Sequence, residues 1–244
     1  NSINWARVLA QVVYYFTAAT ALGAPHRKVS FAVPTGNFGD VFAGYVARRM
    51  GLPIDRLVVA TNRNDILHRT LQTGAYTKET VAPTISPSMD IQVSSNFERA
   101  LFDVYDRDGA AVADQMRMLK EEGAFPISQG ALARLREVFD SGRASEAETT
   151  ETIRRAFDET GEVLCPHTAV GVKVAREAAD PAVPMVTLAT AHPAKFPDAV
   201  AEAMGTRPAL PNRMADLYER SERMTSVAND LAAVESLIEE KIPA

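Results

Sequence analysis

Only one cysteine, Cys165, occurs in 244 residues. That excludes an internal disulfide and any multi-cysteine metal site. No apolar run approaches the roughly 20 residues that a membrane-spanning helix needs. Lysines and arginines are scattered, and the formal net charge is -5, which argues against nucleic acid as the main partner. No Gly-Lys-Ser/Thr follows a glycine turn, so there is no Walker A loop, and Gly-x-Gly-x-x-Gly is also missing. Asp103, Asp106 and Asp108 lie close together, but Arg107 interrupts them and no downstream Glu completes a calcium loop. No metal is expected, and there is no internal repeat or low-complexity segment. The lone cysteine and the ordinary globular composition fit a cytoplasmic protein. The length suits one α/β domain, or one domain plus a subdomain.

What is present centres on Lys28–Asp40, followed by Val41–Met50. It reads as a buried strand over 28 to 33, a glycine turn, and a helix over 40 to 50 stopped by Gly51. Gly36 and Gly39 let an anion approach the main chain, Asn37 tolerates left-handed backbone, and Asp40 is a plausible N-cap. Free N–H groups and the positive end of a helix dipole would then surround one pocket, with phosphate its natural occupant. A tight strand-to-helix turn with no ligand has the same spacing.

Along the rest of the chain the spacing predicts a helix over 3 to 22, a strand over 57 to 61 and a helix over 65 to 72. A Pro/Ser-rich loop fills 74 to 95. Helices are expected at 96 to 106, 112 to 122, 129 to 140 and 146 to 159, then one from Pro166 to Ala178. Val183–Thr190 reads as a further strand, with helices at 198 to 204 and 225 to 240. The implied class is α/β, an open and mostly parallel sheet flanked by helices, with a largely helical excursion. The division is 1–73 as the phosphate-binding part, 74–162 as the excursion, and 163–244 as the return to the α/β domain. Ligands bind beyond the carboxyl ends of strands in such sheets, so loops 35 to 40 and 190 to 195 could face one crevice. Tyr14, Tyr15 and Phe16 read as core packing, and Cys165 as a buried structural thiol.

Six segments, in order, resemble threonine synthase. They are Asn1–Arg7, Tyr14–Phe16, Pro34–Asp40, Ser88–Ile91 with Ser94–Arg99, Pro166–Gly171 and Thr190–Phe196. The family uses pyridoxal 5'-phosphate and has the tryptophan-synthase-β-like fold, fold type II among enzymes of this cofactor. It converts O-phosphohomoserine and water to threonine and phosphate, in threonine biosynthesis. The resemblance implies that Thr35, Gly36, Asn37, Phe38, Gly39 and Asp40 hold the cofactor phosphate. It also implies that Thr190 hydrogen-bonds the pyridine nitrogen, a neutral partner that leaves that nitrogen largely unprotonated. For the substrate and its phosphate the candidates are Arg99, Lys195, Ser94, Ser95, Asn96 and His192. His167 is read as local capping.

The family's Schiff-base lysine lies in a Phe-Lys-Asp-type motif upstream of the Asn-Ser-Ile-Asn segment. None of Lys28, Lys78, Lys120, Lys173, Lys195 and Lys241 has that context. The chain also opens without Met, directly in a helix. Together these features imply the C-terminal portion of a longer lyase, inactive alone, whose partners are O-phosphohomoserine and the N-terminal part of the same protein. Monomer and homodimer are both compatible with the family. The alternatives are another fold-type-II lyase or dehydratase, and a non-catalytic phosphate-binding α/β domain.

Overall fold

A computed structural model describes residues 4–242. Residues 1 to 3, which belong to the first family-like segment and to the first expected helix, lie outside the described residues. The chain divides into two compact units, with the break between Pro208 and Ala209.

In the first unit, helix α1 runs Trp5–Ala21 and starts where the Asn4 side chain accepts a hydrogen bond from Ala6 N–H. Strand β1, Val29–Pro34, is buried along its whole length and leads to α2, Gly39–Arg49. Strand β2 spans Ile54–Thr61, and α3, Ile66–Thr73, ends at Gly74 in the left-handed region, where glycine carries no Cβ penalty. Within the loop expected over 74 to 95, Ala75–Thr77 forms a short strand, β3, which pairs antiparallel with β4 (Ala124–Pro126) and owes its extended backbone to that partner. Between them lie α4 (Phe97–Val104) and α5 (Gly109–Glu121).

Helix α6 covers Gln129–Arg136, four residues shorter than its periodicity suggests, because Phe139–Arg143 forms strand β5. The Asp140-Ser141-Gly142 core of that strand is polar and lacks β-branched residues, so it gives no strand signal. Helix α7 is Glu146–Thr160 and α8 is Pro166–Ala178. Strand β6 shrinks from the expected eight-residue run to Met185–Thr187, and α9 follows at Pro197–Met204. Among the described residues the main sheet has the order β5-β2-β1-β6, with all neighbours parallel. The sheet is therefore the parallel, helix-flanked kind, and β1 and β6 end on the same edge.

Two glycines set helix positions on this sheet. A Cβ on Gly44 of α2 would lie 2.5 Å from Tyr15 Cε1, so α1 packs closely only against glycine. A Cβ on Gly171 of α8 would lie 2.8 Å from Thr187 Cγ2 and 2.9 Å from Pro34 Cγ. The start of α8 is thereby seated over the carboxyl ends of β1 and β6.

The second unit contains short helical turns at Asn212–Met214 and Leu217–Glu219, and α10 at Leu231–Lys241. Helix α10 begins six residues later than expected, where the Asp230 carboxylate accepts a hydrogen bond from Ala233 N–H. No described helix is long and apolar enough to cross a membrane.

Candidate phosphate and cofactor site

The turn after β1 is held from outside. Thr35 N–H donates to Ala60 O at 2.8 Å, and its hydroxyl donates to Val33 O at 2.6 Å. Ser94 Oγ donates to Gly36 O at 2.9 Å, while Asn96 N–H and Nδ2 both donate to Asn37 O at 3.0 Å. The carbonyls of the loop are therefore occupied from one side. Its N–H groups are not: from Gly36 to Val41, none finds an acceptor among the described residues.

The N-cap of α2 is Phe38 rather than Asp40, and no side chain caps the helix. Phe38 sits at φ 63, a left-handed conformation that costs a bulky residue of order 1 to 3 kcal/mol. Its buried ring is held against Phe97 and Phe139, each at 5.2 Å between centroids. An uncapped helix start with its first N–H groups unpaired presents the geometry that suits an anion. A Cβ at Gly36 would fall 2.8 Å from Ser88 O, so only glycine lets the loop pack on residues 88 and 89.

A small polar cavity of about 170 Å³ opens beside this loop, lined by Pro34–Val41 together with Arg7 and Gln11 of α1. Sequence reasoning passed over both α1 residues. Their signal was an i, i+4 polar pair in an otherwise apolar helix. Asp40, in the first turn of α2, is half-buried, and burial pushes its carboxyl up to about 6 against the pull of the Tyr15 hydroxyl. Tyr15 donates to Asp40 O at 2.7 Å, and burial raises its own hydroxyl well above the usual range. Of the three neighbouring aromatics only Tyr15 is fully buried; Tyr14 is exposed, which corrects its reading as core.

The loop from 84 to 90 packs against Gly36 through Ser88 and Met89. Asp90 accepts from Asn62 Nδ2, Asn64 Nδ2, Thr84 N–H and Thr84 Oγ1 at 2.6 to 2.9 Å, which pins the loop. Ser88 N–H donates to His167 Nε2 at 3.1 Å, and the His167 ring packs on Phe196 at 4.7 Å. His167 thus ties three segments together, beyond the local capping expected of it.

At the end of β6 the exposed Thr190 meets the start of α8. Its N–H donates to Thr168 Oγ1 at 3.1 Å, and its hydroxyl lies 3.3 Å from Thr168 Oγ1 and 3.5 Å from Cys165 Sγ. Cys165 is the buried N-cap of α8. Burial pushes its thiol up, but the neighbouring His167, Thr168 and Thr190 side chains outweigh that and bring it down to about 6. Among the described residues His167 Nδ1 is buried without a hydrogen-bond partner.

The other candidates spread outward. Arg99 lies over the Trp5 ring at 5.3 Å, with Nε 3.1 Å from Asn96 Oδ1. With Ser95 it lines a second, larger cavity of about 780 Å³. His192 is exposed and its Nδ1 accepts from Ala194 N–H, supporting the turn before Lys195, whose side chain is exposed. Among the described residues no three His, Cys, Asp or Glu side chains gather as a metal site. Asp103 faces Arg49, Asp106 faces Arg134, and Asp108 caps α5.

A family model described as "Threonine synthase, C-terminal" matches residues 168–238. The threonine synthase of Pseudomonas aeruginosa is 56% identical over 240 residues, covering 98% of this chain and 51% of that protein. The crystal structure of threonine synthase from Brucella melitensis, described as PLP bound, superposes with a TM-score of 0.95 at 58% identity. It covers 98% of this chain and 52% of its own. The yeast threonine synthase structure gives a TM-score of 0.90 at 39% identity, covering 98% of this chain and 53% of its own. The chain spans about half the length of the relatives it matches.

Proposed function

Because this chain belongs to the threonine synthase family, as a stretch about half the length of the members it matches, we propose that it is part of a lyase using pyridoxal 5'-phosphate. The whole enzyme would convert O-phosphohomoserine and water to threonine and phosphate, in the cytoplasm. The observation that carries the reading is the row of unpartnered N–H groups from Gly36 to Val41 at the uncapped start of α2.

These residues fit a phosphate group: the loop with unpartnered N–H groups lines a small polar cavity, and Arg7 brings a cation to it. Gly36–Asp40 would hold the cofactor phosphate through main-chain N–H groups, preorganised by Ser94 and Asn96 from behind, while Thr35, whose N–H and hydroxyl already donate to Ala60 O and Val33 O, anchors the start of the loop. Thr190, exposed at the carboxyl end of β6, would face the ring nitrogen as a neutral partner. When bound, the cofactor supplies the electron sink that lets protons leave the carbons next to the substrate amino group. Arg99 and Ser95, in the larger cavity, are assigned to the substrate phosphate; His192 and Lys195 line neither cavity. That arrangement orients the leaving group without a metal.

We further infer that the chain alone does not turn over substrate. None of its six lysines lines the cavity at the loop. Lys28 pairs with Asp55, Lys173 pairs with Glu148 and Glu177, and Lys78, Lys120, Lys195 and Lys241 are exposed. The test assays the full-length protein containing this chain for threonine and phosphate released from O-phosphohomoserine. Release of both in equal amounts is expected. Ammonia from serine or threonine, with no phosphate released, would replace this reading with a dehydratase. This chain, incubated with the cofactor and borohydride, should retain no stoichiometric lysine adduct.

A further inference from the structure

Thr190 stands in an exposed loop after a strand of only three residues, so its own backbone gives its hydroxyl little orientation. Two buried side chains from the first turn of α8 supply it. Thr168 Oγ1 accepts the Thr190 N–H at 3.1 Å and lies 3.3 Å from its hydroxyl, and Cys165 Sγ lies 3.5 Å from the same oxygen. Cys165 and Thr168 are themselves 3.2 Å apart, and Thr168 N–H donates to the sulfur at 3.4 Å. The three groups form a closed triangle, with two members fixed on a helix seated by Gly171 against Pro34 and Thr187.

A hydroxyl has one hydrogen and two lone pairs. Within the triangle, Thr168 Oγ1, and Cys165 Sγ while its thiol is protonated, can donate to Thr190 Oγ1 and leave its hydrogen directed outward. Without them, that hydrogen has no fixed direction. We propose that Cys165 and Thr168 are positioning residues, which aim the Thr190 hydroxyl hydrogen at the cofactor ring nitrogen. The inference rests on the reading of Thr190 given above and adds the residues that make it a directed donor. It gives the single cysteine a purpose other than nucleophilic attack, for which a thiol 1% exposed is badly placed.

The test uses the full-length protein loaded with pyridoxal phosphate carrying nitrogen-15 at the ring position. A hydrogen bond to an unprotonated pyridine nitrogen moves its resonance upfield. Cys165→Ala and the isosteric Thr168→Val should each move the resonance downfield, towards the position given by Thr190→Val. Cys165→Ser should bring it back towards wild type, and the phosphorus-31 resonance of the cofactor phosphate should stay in place. Cofactor affinity should fall roughly threefold to tenfold in the Ala and Val variants, the range of one net hydrogen bond. If Thr190→Val moves the nitrogen resonance while Cys165→Ala and Thr168→Val leave it unchanged, the positioning role is overturned and the ring contact stands. If Thr190→Val also leaves it unchanged, the ring contact falls as well.

Discussion

At the scale of single residues, the site depends on positions where one atom more or less changes the outcome. The Cβ of Gly36→Ala would fall 2.8 Å from a backbone carbonyl, which cannot rotate away. The loop must shift, misaligning its N–H groups, each charge-assisted bond being worth about 1.5 to 3 kcal/mol. Affinity of the full-length protein for pyridoxal phosphate should drop tenfold or more in a fluorescence titration, with the circular dichroism spectrum unchanged. Asp40 carries a pH signature. Its carboxyl titrates near 6 in the fold against 3.8 unfolded, so the folded state binds its proton more tightly. Its contribution to stability is greatest below the unfolded value and is lost as pH rises through 6. Chemical denaturation from pH 4 to 7 should show that decline, and Asp40→Asn should flatten it. Gly36 and Gly39 marked the strand-to-helix turn in the sequence because glycine leaves the backbone free to turn tightly. Arg7 was not legible there, because a cation on an amphipathic helix ordinarily faces solvent.

At the scale of elements, helix boundaries and braces carry the argument. Helix α7 opens with a capping box: Ser145 Oγ accepts from Glu148 N–H, and the Glu148 carboxylate accepts from Ser145 N–H and Oγ. Hydrogen bonds from the Ser145 backbone hold Glu148 down at about 2, from 4.5. The linked stability is present above pH 4.5 and is lost as pH falls towards 2. Ser145→Ala should cost about 1 kcal/mol at neutral pH, and less at pH 2, by urea denaturation. The loop from 84 to 90 hangs on Asp90, which four donors face. Asp90→Ala should speed amide hydrogen exchange of residues 84 to 91 far more than that of β1 and β2. Elements with strong periodicity, α1, α2, β1 and β2, were legible because tertiary packing agrees with local preference. Strand β5 was hidden: Phe139–Arg143 has no alternation, and it is a strand only because the edge of β2 supplies its hydrogen bonds.

At the scale of the whole molecule, the sheet order brings residues far apart in sequence to one end of the sheet. β1 and β6 are parallel neighbours, so the loops that follow them, which include 35 to 40 and 190 to 195, leave the same end of the sheet. α8, placed by Gly171, closes that end with Cys165, His167 and Thr168. Sequence pattern could not reveal this closure, since His167, Thr168 and Thr190 look like ordinary capping and turn residues until the sheet brings them together. The close packing of α1 on α2 follows the same logic. Gly44→Ala, whose Cβ would meet Tyr15 and Leu57 at 2.5 and 2.7 Å, should destabilise the fold by about 1 to 3 kcal/mol. A lower denaturation midpoint with an unchanged slope would register it.

The central claim is that the main chain from Gly36 to Val41 holds the cofactor phosphate. The most direct test follows the backbone amide resonances of this 244-residue chain while it is titrated with pyridoxal phosphate and, separately, with pyridoxal. The account predicts that resonances of residues 36 to 41 move with pyridoxal phosphate and stay in place with pyridoxal. Movement confined to other residues with pyridoxal phosphate, or equal movement with both compounds, would contradict it.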